Sequence, residues 1–324
     1  MTFASFPLMS KATSPTIGID FGGTSIKLGV VSGSQVIAHS PSIASQDYDS
    51  PEALVDGLAQ FVKMLIKDYP EVNAIGMGMP GFVNYYKGTV HSLANLQGWN
   101  DVPIRDLLQQ HCQLPVCIEN DANCTTYAEW KFGAGVGKKI LLCLTLGTGV
   151  GSGIIINEQL LRGVTCSAGE LGQTSIDYKG RRGHYENRGA LETYIGNREL
   201  AADARVLYAA SEQDKAIADC NPIALEKAAL QGDPIAIKVW TDLAHKLACA
   251  LINCCYLLNP DTIIIGGGVA KAKDLLFVPL KQCMKEQLPA PLMEGLEIIP
   301  AKFGTEAGII GAAALARDTF FPEQ

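Results

Sequence analysis

The sequence predicts a duplicated α/β fold in two lobes, and three observations predict it. Short apolar runs alternate with stretches of helical periodicity. The order strand, strand, strand, helix, strand occurs twice, and a glycine-rich hairpin leads each occurrence. At 324 residues the chain exceeds one ordinary small domain, and 48% hydrophobic residues with 18% charged readily supply a sizeable core. The net charge of −7 argues against nucleic acid as a partner. Lys179-Gly180-Arg181-Arg182 is too short to alter that and reads as a solvated loop.

Thr16–Asp20 is a short apolar strand, Phe21-Gly22-Gly23-Thr24 a tight turn, and Ser25–Val31 the returning strand; Gln35–Ser40 supplies a third. Pro51–Asp68 places Leu54, Leu58, Phe61, Val62 and Leu65 at helical spacing, with Pro51-Glu52 suited to a first turn. Ala74–Met79 is a strand ending at Pro80-Gly81. The apolar run from Val116 ends in Glu119-Asn120-Asp121, and a helix follows over Ala122–Phe132. The second half begins with a buried strand over Lys139–Leu146, a turn at Gly147–Gly151, a return over Ser152–Asn157 and a third strand over Gln159–Arg162. After a polar, helical insertion come a long helix at Pro234–Leu258 and a buried strand at Thr262–Ile265, which ends in Gly266-Gly267-Gly268. A helix over Ala270–Glu286, a strand over Leu296–Pro300 and an Ala-rich helix over Glu306–Asp318 close the chain.

Residues Met1–Pro15 carry no charged segment before an apolar core, so no signal peptide is expected. The most apolar run, Ile140–Ile156, is broken by glycines, and Leu243–Leu258 contains His245, Lys246 and Asn253; neither is a membrane span. The ten cysteines form no C-x-x-C pair and lie mostly within apolar segments. They read as core residues of a cytoplasmic protein, not as metal ligands.

Backbone N–H groups meet a phosphate at close range only where glycine lets the chain approach. Asp20-Phe21-Gly22-Gly23-Thr24-Ser25-Ile26-Lys27 offers such a turn, with the Thr24 hydroxyl, the Lys27 cation and Asp20 to hold Mg²⁺ directly or through water. Thr145-Leu146-Gly147-Thr148-Gly149-Val150-Gly151 is a second, uncharged one. Either alone could be an ordinary hairpin, but two at equivalent places in a duplicated chain point to nucleotide phosphate. Competing motifs fail on spacing: Ser152 stands where a dinucleotide fingerprint needs its third glycine, and Phe132 and Lys139 break a P-loop ending at Gly137-Lys138. Glu119-Asn120-Asp121, where strand gives way to helix, has the polar character of an active-site floor, and helix capping accounts for only one of the three.

The order of strands and hairpins resembles the actin-like, hexokinase and heat-shock-70 ATPase fold (ribonuclease-H-like), which implies a nucleotide cleft between two lobes. The first lobe would be residues 1–121 plus 306–324, the second 122–305. Together with Met79-Pro80-Gly81, Asn95-Leu96-Gln97-Gly98-Trp99, Gly169-Glu170-Leu171-Gly172-Gln173 and Gly189-Ala190-Leu191-Glu192, the chain from Ile17 to Ala316 resembles a ROK-family sugar kinase of the bacterial glucokinase type. The resemblance implies that Asp121 is the catalytic base, accepting the proton of the sugar hydroxyl that attacks the γ-phosphate. It implies sugar binding by Asn95, Asn120, Glu170, Glu192 and Gln173, close backbone approach at Gly81, and adenosine against Gly266, Gly267 and Gly268. ATP phosphates would meet Gly22, Gly23, Thr24, Lys27, Thr145, Gly147, Thr148 and Gly149.

Many members of that family hold a structural zinc through one histidine and three cysteines. Here those positions read Gln173, Gly183, Tyr185 and Ala190, so no zinc is expected and the loop Asp177–Asn187 must be held by its own packing or move. The implied activity is an ATP- and Mg²⁺-dependent hexose kinase acting at the 6-hydroxyl. Glucose leads, with mannose, fructose, N-acetylmannosamine and N-acetylglucosamine as alternatives. Family members are commonly dimers or tetramers. Repressors of the same family carry a winged-helix domain before the first phosphate strand, and only some fifteen residues precede Thr16. An actin-like ATPase without a small substrate would not need Asn95, Asn120, Glu170 and Glu192 together.

Overall fold

Along Thr16-Ile17-Gly18-Ile19-Asp20-Phe21 every second residue is large and apolar from Ile17 on, which gives a strand one bulky face and one nearly flat face. The computed structural model, which describes residues 14–22, 25–91, 93, 99–213 and 215–322, builds its first sheet on that strand. The chain forms two compact units: residues up to Ala128 together with those from Glu306 onward, and Glu129–Thr305.

The first unit contains β1 (Thr16–Phe21), β2 (Ser25–Ser32), β3 (Gln35–His39), β4 (Ile43–Ala44), α1 (Pro51–Asp68), β5 (Ile75–Met79), β6 (Val83–Asn84), β7 (Thr89–Val90), α2 (Ile104–Cys112) and β8 (Val116–Asn120). α3 (Asp121–Phe132) begins there and ends in the second unit. The second unit has β9 (Ile140–Leu146), β10 (Val150–Ile156), β11 (Gln159–Leu160), α4 (Glu192–Ile195), α5 (Asn197–Ala210), α6 (Pro222–Leu230) and α7 (Pro234–Leu258). It ends with β12 (Thr262–Gly266), α8 (Asp274–Gln287), α9 (Ala290–Met293) and β13 (Glu297–Pro300), and α10 (Ala307–Phe320) returns to the first unit.

The duplication is plain in the sheets. The first runs β3-β2-β1-β5-β8 and the second β11-β10-β9-β12-β13. In each, the leading strand pairs antiparallel with its hairpin partner and parallel with the strand on its other side. On the bulky face of the first sheet, Ile17, Ile19, Met77 and Met79 share one core with Leu54, Leu58 and Val62 of α1 and Leu108 of α2. Burying each such side chain contributes about 2 kcal/mol. α1 starts where Ser50 Oγ accepts from Ala53 N at 3.1 Å and Pro51 presets the first turn. Asp233 and Pro234 do the same for α7.

The flat face takes α10. A side chain at Gly18 would collide with the Ile309 carbonyl, and one at Gly76 with that of Ala312. On α10 itself, Gly311 sits against the Cys124 carbonyl of α3. These glycines let α10 approach the sheet, and α3 approach α10, at backbone distance, and the first turn of α10 lies beside Asp20 near the carboxyl end of β1.

Three expectations need correction. The helix expected over Ala270–Glu286 is a short 3-10 turn, Val269–Ala272, followed by α8, because Lys273 turns the chain at φ 48°. Gln159–Arg162 pairs only over Gln159–Leu160, the Arg162 carbonyl being taken by Ala168 N at 3.0 Å. Cys249 is exposed, whereas the other nine cysteines are buried as core. Trp99 is buried in the first unit's core, edge-on to Phe21 with ring centroids 6.1 Å apart. Among the described residues no helix is long and apolar enough to cross a membrane.

Candidate active site

In the first unit, Asp20, Gly78 and Glu119 stand side by side on adjacent parallel strands. That register puts Asp20 and Glu119 about 10 Å apart at the backbone. Asp20 also faces Lys27 across the β1–β2 hairpin. Burial pushes its carboxyl above the ordinary carboxylate range, while Lys27 pulls it the other way. The turn is closed by Gly22 N donating to Ser25 O at 2.9 Å. Gly23 and Thr24, and Asn95 further on, lie outside the described residues. A Cβ at Gly308, in the first turn of α10, would lie 2.6–2.9 Å from all three atoms of the Asp20 carboxyl group. Gly308 belongs to none of the sequence motifs; a glycine opening an Ala-rich helix is its visible signal.

At the end of β8, Glu119 is 1% exposed, and its Oε1 accepts from Asn120 N at 2.9 Å and Asn123 Nδ2 at 3.0 Å. Asn120 caps α3: its Oδ1 accepts from Ala122 N at 2.9 Å and Asn123 N at 3.1 Å. Its Nδ2 donates to Gly81 O at 3.2 Å, where the chain turns at φ 78°. Capping therefore falls on Asn120, and Asp121 is not needed for it. Asp121 Oδ1 accepts from Ala122 N at 2.8 Å. Burial, then the charges of Glu119, Cys117, Asp121 and Asp20, push the Cys124 thiol well above its usual range. Asp20, Gly81, Asn120 and Asp121 are thus brought together at one edge of one sheet.

In the second unit, Gly147 N donates to Gly149 O at 3.0 Å, closing the hairpin between β9 and β10. Thr145 pairs with Gly151 and Gly266, and Thr148 is exposed. Glu192, the first residue of α4, reaches this hairpin: its Oε2 accepts from Val150 N at 2.8 Å, and a Cβ at Gly149 would overlap it. Its Oε1 accepts from Gln173 Nε2 at 3.3 Å and lies 3.6 Å from His184 Nε2. Burial and the Glu192 charge raise the Glu170 carboxyl, and the same two carboxylates add to burial in raising the Tyr185 phenol. Gln173 Oε1 is buried and meets no donor among the described residues. Ser152 Oγ donates to Gly169 O and accepts from Leu171 N at 3.1 Å, fastening the Glu170 loop to β10.

Gly266 ends β12, and the two glycines that follow it differ in what holds them. Gly267, at φ 86°, would overlap the Leu146 backbone with any side chain, whereas nothing lies within 4 Å of a Cβ at Gly268 or Gly147. The amide of Gln173, the phenol of Tyr185, and Gly183 and Ala190 do not make a donor set for a structural zinc. Mg²⁺ takes fewer protein ligands, one or two carboxylates beside phosphates and water in its octahedral shell, and the Asp20 carboxyl group is of the type it uses.

Two α/β units with the same strand order, each opened by a tight hairpin, constitute the duplicated fold of the actin-like ATPases and hexokinases. Within that class the assignment is specific. The chain belongs to the ROK family, whose model matches residues 16–319. It is 34% identical over 313 residues to a glucokinase of Streptomyces coelicolor, covering 94% of this chain and 98% of that protein. A ROK family glucokinase of Streptomyces griseus, solved in complex with glucose and AMPPNP, superposes with a TM-score of 0.80 at 31% identity, covering 94% of this chain and 99% of that one. A xylose repressor of Caldicellulosiruptor bescii is 28% identical over 85% of this chain and 71% of its own length.

Proposed function

We propose that the protein is an ATP- and Mg²⁺-dependent hexose kinase that phosphorylates the 6-hydroxyl, with glucose as substrate. The observation that carries this reading is the gathering of Asp20, Asn120 and Asp121 at the ends of β1 and β8, in a chain whose relatives include glucokinases. Asp121 would accept the proton of the attacking hydroxyl, a role that contributes about 10²–10⁴-fold to such reactions. Mg²⁺, when bound with ATP, neutralises charge on the transferred phosphoryl group, and Asp20 would hold it directly or through water. Gly22, Gly23, Thr24 and Lys27 in the first unit are assigned to phosphate, as are Thr145, Gly147, Thr148 and Gly149 in the second. Gly266, Gly267 and Gly268 are assigned to adenosine. Sugar hydroxyls are assigned to Gly81, Asn95, Asn120 and Asp121 in the first unit and to Glu170, Gln173 and Glu192 in the second. Sugar and ATP are the proposed partners, in the cytoplasm and in a homo-oligomer, without nucleic acid or membrane.

A second reading, a sugar-binding regulator without turnover, is favoured by the repressor relatives. Measuring ADP release with ATP, Mg²⁺ and glucose, mannose, fructose, N-acetylglucosamine, N-acetylmannosamine or no sugar separates the two. Release with glucose supports the kinase, release with another sugar moves the substrate, and sugar binding without any release favours the regulator. Asp121→Asn should lower kcat about 10³-fold with little change in glucose affinity; wild-type turnover in that variant would remove Asp121 as the base.

A further inference from the structure

Four residues do not make a self-supporting helix, so α4, which opens with Glu192, must take its position from its surroundings. Arg181 supplies much of that hold. Its Nη1 donates to Thr193 O at 2.9 Å and its Nη2 to Asp203 Oδ1 at 2.6 Å. Its backbone N–H donates to Tyr194 Oη at 2.9 Å, and its guanidinium lies 4.8 Å from the centre of that ring. Lys246 of α7 braces the cluster, 3.5 Å from Asp203 Oδ2 and 5.7 Å from the Tyr194 ring. On the loop side, Arg181 O accepts from Gly189 N at 2.7 Å, and Asn187 Nδ2 donates to Gln173 O at 2.6 Å. A single half-exposed ion pair contributes little. Here one planar group ties α4, α5 and the loop together, a geometry that a lysine point charge does not reproduce.

We propose that Arg181 is a positioning residue for the sugar site: it fastens residues 177–189 to α4 without a metal, and so holds Glu192 where it meets Val150 and Gln173. Only the sugar readout of this inference rests on the kinase reading. The test compares wild type, Arg181→Gln, Arg181→Lys and Asp203→Asn by hydrogen exchange over residues 174–195, by glucose titration without ATP, and by steady-state kinetics. The first two measurements are repeated with EDTA.

In Arg181→Gln, exchange in that segment is expected to quicken tenfold or more and glucose affinity to fall tenfold or more, with kcat within about threefold of wild type. Arg181→Lys should recover less than half of either effect, and EDTA should leave the wild type unchanged. Asp203→Asn should move the same segment by a smaller factor, and it decides the question if Arg181→Gln does not fold. Wild-type exchange in both variants, or faster exchange of the wild-type loop in EDTA, would overturn the proposal. A wild type that does not bind glucose would sink the glucose assignment, while the exchange result would still decide the role of Arg181.

Discussion

Gly308 offers the sharpest test of the first unit, because the three atoms nearest to a new methyl are those of the Asp20 carboxyl group, at 2.6–2.9 Å. In Gly308→Ala something must shift, and α10 is poorly placed to do so. Its backbone already lies against Gly18 and Gly76 of the sheet and, through Gly311, against Cys124. The carboxyl group must therefore turn away. Overpacking by one methyl group costs about 1–3 kcal/mol, which for a chain of this size lowers Tm by about 2–10 °C. A misplacement of about 1 Å at a reacting group costs on the order of 10²-fold in rate. If Asp20 serves the phosphoryl transfer, Gly308→Ala should therefore lose about 10²-fold in kcat while still melting cooperatively. The Asp20→Asn/Gly308→Ala double variant should then be no slower than Asp20→Asn alone, because both changes act on one group. Kinetics at saturating ATP and Mg²⁺ with parallel thermal melts measure both. Wild-type turnover in Gly308→Ala would refute the reasoning, as would a further hundredfold loss in the double variant.

Two further changes probe the second unit. Glu170 is held above its ordinary value of 4.5 by burial and by Glu192, so the folded protein binds that proton more tightly than the unfolded chain does. Its stabilising contribution is complete below 4.5 and is lost as pH rises through the raised value. Glu170→Gln should flatten the pH dependence of Tm across that window, raise Tm above it, and weaken sugar binding about tenfold; an unchanged pH slope would count against it. Glu129 is 0% exposed, with Oε1 accepting from Lys302 N and Phe303 N, each at 2.8 Å, and Oε2 from Ala134 N at 3.0 Å. Glu129→Gln sets an amide N–H₂ against a backbone donor on one side or the other, which should cost about 1–3 kcal/mol, or about 2–10 °C in Tm. A wild-type melt would show that those bonds are not made.

Local signals in the sequence carried most of the architecture. Pro51–Asp68 and Pro234–Leu258 are helical over the expected spans because a capping Ser or Asp and a proline mark each start. The repeated strand order was legible because strands and hairpins repeat within short windows. α2 begins at Ile104 without a side-chain cap, so Pro103 is the one local sign of its start. Arg181 read as a solvated loop residue because its partners, Thr193, Tyr194 and Asp203, are chosen by tertiary packing, which periodicity does not encode. Gly308 and Asp20 meet from opposite ends of the chain for the same reason. The family resemblance implies roles for Glu170, Gln173 and Glu192 without indicating that the side chains of Gln173 and Glu192 touch.

That contact changes how the second unit is understood. The sequence treats the hairpin around Gly149 and the carboxylate of Glu192 as separate devices, one for phosphate and one for sugar. In the structure the hairpin turns around the carboxylate, since Val150 N donates to Oε2 and Gly149 has no room for a side chain. A carboxylate offers about four acceptor positions, two on each oxygen, so at Oε1, which meets Gln173 at 3.3 Å and His184 at 3.6 Å, a further donor displaces one of the two. On the proposed reading a sugar hydroxyl binding Glu192 competes with Gln173 and His184 and leaves the Val150 bond intact. Substitutions at Gln173 should therefore alter the choice among hexoses, whereas shifting Glu192 itself should disturb the hairpin as well. On that reading sugar selection and phosphate geometry share one carboxylate, which α4 carries and, as proposed, Arg181 holds in place.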